Sequence, residues 1–485
     1  MKKRFLNMTL HELSLGLSRR DFSSFELTEA FLERINETDK EIGAFISICA
    51  EKALARAKET DALRASGEHL GPLAGIPFAV KDNICTRGIR TTCGSRMLED
   101  FIPPYNATVI DKLEREGCVM LGKLNMDEFA MGSATDTSVF GRTKNPLDIR
   151  RTAGGSSGGA AAAVAALDIP FALGSDTGGS VRQPAAFCGA VGIKPTYGTV
   201  SRYGLVAFAS SLDQIGPITR DVLSNATVLS AIAGADGRDA TCVQKEHAFL
   251  SDLGRDIKGV RIGLPKEVLE GVSPDVAACT LSAIDALSAL GAEVVEITLP
   301  NTDALLAAYY IISSAEASSN LARFDGVRYG RRAEGAENID GLLIKSRSEG
   351  FGDEVKRRIM LGTYALSRDV RDTYYKKALA VRAHLSSELK KLYEKCDVIL
   401  MPTAPTVAYT FENKKATPIE VYLEDKLCVI ANMAGVPSLS LPFGRGEGDM
   451  PVGIQLMGKV FDEALLYRIA MSLERAEGGT ANERI

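Results

Sequence analysis

Residues 154–182 read GGSSGGAAAAVAALDIPFALGSDTGGSVR. In that order the string holds a glycine–serine turn, an alanine-rich run to Leu167, an apolar run over 169–173 and a second glycine turn at Asp176-Thr177-Gly178-Gly179-Ser180. Turn, helix, strand and turn in succession make one unit of an α/β layered sheet. The alternation extends outward. Upstream, residues 75–80 are a short apolar run that predicts a buried strand, with Lys81-Asp82-Asn83 at its end. Asn106 is placed to cap a helix that carries Val109, Ile110 and Leu113 and stops at Gly117; residues 119–121 predict the strand after it. Downstream, residues 260–264, 294–297, 401–405 and 436–441 predict that strands continue late into the chain.

The first ~70 residues predict helices. Ser23 and Glu26 form a capping-box pattern ahead of Leu27, Ala30, Phe31 and Ile35 at helical spacing, and residues 52–66 continue as a helix ended by Gly67. With no low-complexity linker, the expectation is one domain over 1–485: a helical segment over 1–70, a core over 71–220 and the remaining sheet and helices over 221–485.

Composition narrows the function. Of 485 residues, 45% are hydrophobic and 25% charged, as in globular proteins. Lys and Arg number 57 against 62 Asp and Glu, so the chain lacks the basic excess that grips nucleic acid by counterion release. No stretch approaches ~18 uninterrupted apolar residues. The opening Met-Lys-Lys-Arg imitates a signal peptide, but Asn7, Thr9, His11 and Glu12 break any apolar run behind it, so a cytoplasmic location is expected. Nine cysteines, an odd number without a CxxC spacing, fit neither a disulfide framework nor a zinc site; reduced, mostly buried thiols are expected.

Residues 117–124 spell G-x-x-x-x-G-K-L, one residue short of a phosphate-binding loop. The Ser or Thr that would hold Mg²⁺ is missing and the strand follows the first glycine, so Gly117 is better read as a helix C-cap. The glycine clusters at 154–159 and 176–180 carry more. Glycine lets backbone approach a ligand closely, and N–H groups at such turns can hold a developing oxyanion. Serines beside them are candidate nucleophiles, inert without a base. The four histidines, His11, His69, His247 and His384, all lie outside this region, which leaves Lys81 as the nearby base. Burial disfavours its charged form; moving it from ~10.4 to near 7 takes about 4–5 kcal/mol.

Lys81-Asp82-Asn83 with the stretches at 154–159 and 174–182 resembles the amidase signature family. Residues 122–132, 210–217, 316–321 and 348–352 are similar to a branch of it, the glutaminase subunits of tRNA-dependent amidotransferases, and the likeness runs from about residue 10 to 475. The resemblance implies an α/β fold with a large mixed β-sheet covered by helices on both faces. It also implies a Ser–cis-Ser–Lys triad of Ser180, Ser156 and Lys81, an oxyanion hole at Thr177, Gly178 and Gly179, and a glutamine pocket of Tyr309, Arg358 and Asp425. No metal or cofactor is implied for this chain. Its implied partners are a B subunit that binds tRNA and uses ATP and Mg²⁺, and a small C subunit; an amidase acting alone on free amides is the alternative. Ala160 stands where the family usually has Ser, and Arg368-Asp369-Val370-Arg371 replaces a usual aromatic stretch; the first is expected to alter helix packing and the second only the local surface.

Overall fold

The structure is a computed structural model that describes residues 3–300, 302–412 and 422–478. Its strands, in chain order, are β1 (Phe45–Ile48), β2 (Pro77–Lys81), β3 (Val119–Leu124), β4 (Lys144–Asn145), β5 (Asp148–Thr152), β6 (Phe171–Asp176), β7 (Val191–Lys194), β8 (Gln214–Thr219), β9 (Arg261–Pro265), β10 (Glu293–Ile297), β11 (Val398–Pro402), β12 (Ser438–Arg445) and β13 (Pro451–Gly458). β4 and β5 pair by themselves; the other eleven form one sheet in the order β1-β3-β2-β6-β8-β7-β12-β13-β11-β9-β10. The strands before residue 220 build one half of that sheet and those after residue 260 the other. The halves join where β7 and β12 run antiparallel, with Ile193 opposite Leu439.

β2 lies between β3 and β6 and runs parallel to both. Parallel strands of this kind are buried on both faces and read as unbroken apolar runs, which is why residues 75–80 stand out in the sequence. Successive strand residues point to opposite faces. Along β11, Val398 and Leu400 enter one hydrophobic core while Ile399 and Met401 enter a second, so both faces are covered. The first core contains Phe78 stacked on Phe171 at 5.3 Å and the apolar side of the N-terminal helices. The Ser23 capping box forms as expected, and Leu27, Phe31 and Ile35 are fully buried behind it.

Two expectations need correction. The N-terminal segment is not wholly helical: β1 interrupts it and pairs antiparallel with β3 at the sheet edge. Four residues are too few for a period-two pattern to show. Asn106 does not cap the helix Thr108–Arg115, whose N-cap is Ala107 without a side-chain bond. Instead the Asn106 side-chain carbonyl accepts from the Arg87 N–H and its amide donates to Glu114.

Close sheet contacts depend on missing side chains. A Cβ at Gly216 in β8 would stand 1.9 Å from the carbonyl oxygen of Ile193 in β7. Gly216→Ala is therefore expected to lower unfolding stability by about 1–3 kcal/mol. Gly237, with nothing within 4 Å of its Cβ position, should tolerate alanine to within about 0.5 kcal/mol. Denaturant unfolding of the two variants measures the difference.

Candidate active site

Lys81 is the last residue of β2 and is wholly buried. Its Nζ lies 2.7 Å from Ser156 Oγ and donates to the Ser175 carbonyl at 3.3 Å. Burial pulls the Lys81 pKa down to about 7, against the attraction of Asp127, Asp176 and Asp213. A lysine in this state holds its proton loosely at neutral pH.

Ser156 sits in the first glycine cluster, and the Gly155–Ser156 peptide bond is cis. The cluster is shaped by what presses on it. A Cβ at Gly155 would come within 2.1 Å of the Asp127 carboxylate, and one at Gly154 within 2.7 Å of the Pro184 Cα. The chain then enters the helix Gly158–Ala165, every residue of which is buried. Ala160 lies inside that helix, in the core.

Ser180 follows the second cluster at the end of β6. Ser157 staples the two clusters together: its N–H donates to the Ser180 carbonyl at 3.1 Å and its hydroxyl to the Ser175 carbonyl at 3.1 Å. Asp176 organises the turn. Its carboxylate accepts from the Gly179 N–H at 2.8 Å, the Val181 N–H at 3.2 Å, the Arg182 guanidinium at 3.1 Å and the Asn432 amide at 2.9 Å. Burial opposes ionisation of Asp176, but the charge and hydrogen bonds of Arg182 outweigh it and hold the carboxyl well below the usual range. Arg182 is itself fully buried, bonded also to Gln455, Asn432 and the Cys428 carbonyl.

The three residues expected at an oxyanion hole behave differently from one another. The Gly179 N–H is engaged by Asp176, and Gly179 takes φ +123 with Cys428 pressed against it. Its part is to shape the turn. The Thr177 hydroxyl donates to Asp213 at 2.7 Å, and Gly178 lies so close to the Tyr309 ring that a Cβ there would meet the phenol oxygen at 2.4 Å.

That contact joins the turn to the residues expected to hold glutamine. Tyr309 comes from the helix Thr302–Asn320 and its ring meets that of Tyr310 edge-on at 5.0 Å. The guanidinium of Arg358 lies against the stacked pair of Tyr310 and Tyr422, 4.6 and 4.7 Å from their ring centroids, and its Nε donates to Glu354 at 2.7 Å. Asp425 accepts from the Tyr310 hydroxyl at 2.6 Å. Burial pushes the Asp425 carboxyl up to about 7. Ordinary surface charges would be exposed, whereas Arg358 is only 4% exposed.

Sequence reading missed Tyr310, Tyr422 and Glu354, which clamp Arg358 and Asp425, and also Asn432 and Gln455. Asp176 and Arg182 flank the second cluster in plain view, but their shared role needs the turn. The lysine of the loop-like string at 117–124 is structural: Lys123 is buried and donates to the Ile84 carbonyl and the Thr91 hydroxyl. Gly117 ends its helix with φ +81. Residues 368–371 lie mostly exposed in a turn between helices.

A buried lysine–serine pair beside a serine on a tight turn, set in a mixed sheet, defines a class of amide-cleaving enzyme that works without histidine. A family model described as Amidase matches residues 26–467, and the chain belongs to this family. It is 54% identical over 472 residues to the A subunit of glutamyl-tRNA(Gln) amidotransferase of Heliobacterium modesticaldum, covering 97% of each chain. Among solved structures it resembles the corresponding glutamyl-tRNA(Gln) amidotransferase subunit of Thermotoga maritima, with TM-score 0.81 and 41% identity over 98% of this chain and 96% of that one. It also resembles the native peptide amidase of Stenotrophomonas maltophilia, with TM-score 0.84 and 30% identity over 98% and 97%.

Breaking the Asp176–Arg182 pair from one side leaves a buried charge unpaired, so Arg182→Gln is expected to lose about 3–5 kcal/mol of stability near pH 7. A carboxyl whose folded pKa is depressed adds stability above its unfolded value of ~3.9 and loses it as pH falls. The wild-type protein should therefore lose stability below about pH 4 more steeply than the variant, as read by denaturation at several pH values.

Proposed function

We propose that the chain is the glutaminase subunit of a tRNA-dependent amidotransferase, supplying ammonia for the conversion of Glu-tRNA(Gln) to its amidated form. The 54% identity to the Heliobacterium amidotransferase chain over 97% of both supports this more than the fold does, since the peptide amidase shares the fold about as well. The observation that carries the chemistry is the buried Lys81–Ser156 contact at 2.7 Å.

In this reading Ser180 attacks the side-chain amide carbon of glutamine. Its proton passes to Ser156 as the Ser156 proton passes to neutral Lys81. The carbonyl oxygen becomes an oxyanion held by backbone N–H groups at Thr177 and Gly178. As the tetrahedral intermediate collapses, the proton returns through Ser156 to the leaving nitrogen and ammonia departs. Water then cleaves the glutamyl ester on Ser180 by the same relay, releasing glutamate. Arg358 holds the α-carboxylate and Asp425 the α-ammonium, with Tyr309 between them and the turn. Ammonia goes to a B subunit that binds tRNA and uses ATP and Mg²⁺, with a small C subunit joining the two.

Ser180→Ala should abolish glutamine hydrolysis, and a glutamine analogue with an electrophilic side chain should label Ser180; labelling of Ser156 or Ser157 would overturn the assignment. Lys81→Arg keeps the charge but stays protonated, so it should be nearly as damaging as Lys81→Ala. Because the neutral lysine is the base, kcat for glutamine hydrolysis is expected to fall as pH drops through about 7. The deciding experiment co-expresses the chain with its partner subunits. Arg358→Ala should raise the KM for glutamine roughly 30-fold or more, yet leave ammonium-supported amidation of Glu-tRNA(Gln) intact. A chain that hydrolyses amides but never supports amidation with any partner would instead be an amidase acting alone.

A further inference from the structure

We propose that Tyr310 is a positioning residue for the α-ammonium of glutamine, acting through the hydrogen bond by which its phenol fixes and charges the Asp425 carboxylate. The proposal rests on the reading of Asp425 as the ammonium partner and extends it to a residue that touches no reacting atom.

The geometry gives Tyr310 two separate tasks. Its ring, only 7% exposed, stacks on Tyr422 at 4.0 Å and lies under the Arg358 guanidinium at 4.6 Å. Its hydroxyl donates to Asp425 Oδ2 at 2.6 Å. One side chain therefore braces both the cation and the anion of the pocket, and it does so with different atoms. A phenylalanine would keep the first task and lose the second.

Among the described residues the Tyr310 hydroxyl is the foremost support of the Asp425 charge, followed by the Arg358 guanidinium. On the helix Thr302–Asn320 it faces Tyr310 and Tyr309; on the helix Asp353–Leu366 it faces Arg358. Glu424 on its own segment and Asp176 at the end of β6 oppose its ionisation. Among the described residues, Arg182, Tyr409 and Cys428 also lie around it. Burial outweighs the favourable contacts, so Asp425 carries its charge only marginally at neutral pH, with its pKa near 7. A hydrogen bond to the charged form lowers a carboxyl pKa, and removing it raises that pKa. Without the Tyr310 hydroxyl, less of the anion would be present to meet the ammonium.

Lys81 also titrates near 7, so the pH profile with glutamine alone mixes two groups. 5-Amino-5-oxopentanoate, glutamine without its α-amino group, separates them: it needs Lys81 but gives Asp425 nothing to bind. The ratio of kcat/KM for glutamine to that for this analogue therefore follows Asp425. For the full chain with its partner subunits, the ratio is expected to fall as pH drops through about 7. In Tyr310→Phe its midpoint should move upward by about half a unit or more, with the glutamine KM at pH 7 rising about tenfold and kcat changing by less than about twofold. Asp425→Asn should flatten the ratio, and Tyr310→Phe in that background should change it no further. An unmoved midpoint in Tyr310→Phe, or a further loss in the Asp425→Asn background, would overturn the role of Tyr310 while leaving the pocket. A wild-type chain that treats glutamine and the analogue alike at every pH would overturn the pocket reading itself, and this inference with it.

Discussion

The buried pair of Asp176 and Arg182 is the constraint around which the site is arranged. Asp176 ends β6 and gathers the N–H groups of the turn, while Arg182 opens the next helix and reaches Gln455 on β13 and Asn432 beyond residue 422. One ion pair thus pins the serine turn to the first half of the sheet and to the second. Two charges removed from water are stabilised only when hydrogen bonds meet them from every side, and these two are so met. The geometry of the turn is over-determined as a result.

The same interior produces two kinds of buried lysine. Lys123 donates to the Ile84 carbonyl and the Thr91 hydroxyl and stands 3.8 Å from Asp82; burial lowers its pKa as well, but its contacts are structural. Lys81 has a serine hydroxyl and one long carbonyl contact, with its carboxylates acting at a distance. Desolvation pulls the Lys81 pKa down to about 7 and, with Ser156 against its Nζ, leaves a base where a histidine would otherwise be required. Burial alone does not make a catalytic lysine: Lys194 is as deeply buried and its pKa is likewise pulled down to about 7, but its ammonium donates to the Pro195 carbonyl, whereas Lys81 meets the Ser156 hydroxyl.

Much of this was legible in the chain. The apolar runs of the inner strands announce themselves because both their faces are buried, and the glycine clusters because backbone and side chains press on them from outside. β1 and the true cap of the helix at Thr108 were not legible. A four-residue edge strand has no period to read, and Asn106 turned to Arg87 and Glu114, neighbours that only the fold supplies. The family resemblance implies Gly179 as an oxyanion donor, and that its N–H donates to Asp176 is visible only in the folded turn.

The sequence by itself determined the class of sheet, the two serine-bearing turns and the absence of histidine from them. These are local matters of spacing and composition, and resemblance alone pointed from them to Tyr309, Arg358 and Asp425. Only the tertiary structure decided which buried lysine meets the Ser156 hydroxyl and which of the neighbouring tyrosines, Tyr309 or Tyr310, meets the Asp425 carboxylate. Those outcomes depend on groups far apart in the chain, such as Tyr310 and Asp425, or Asp176 and Asn432, brought within hydrogen-bond distance. Solvent exclusion then sets the strength of each contact, and no stretch of sequence records how completely water is excluded.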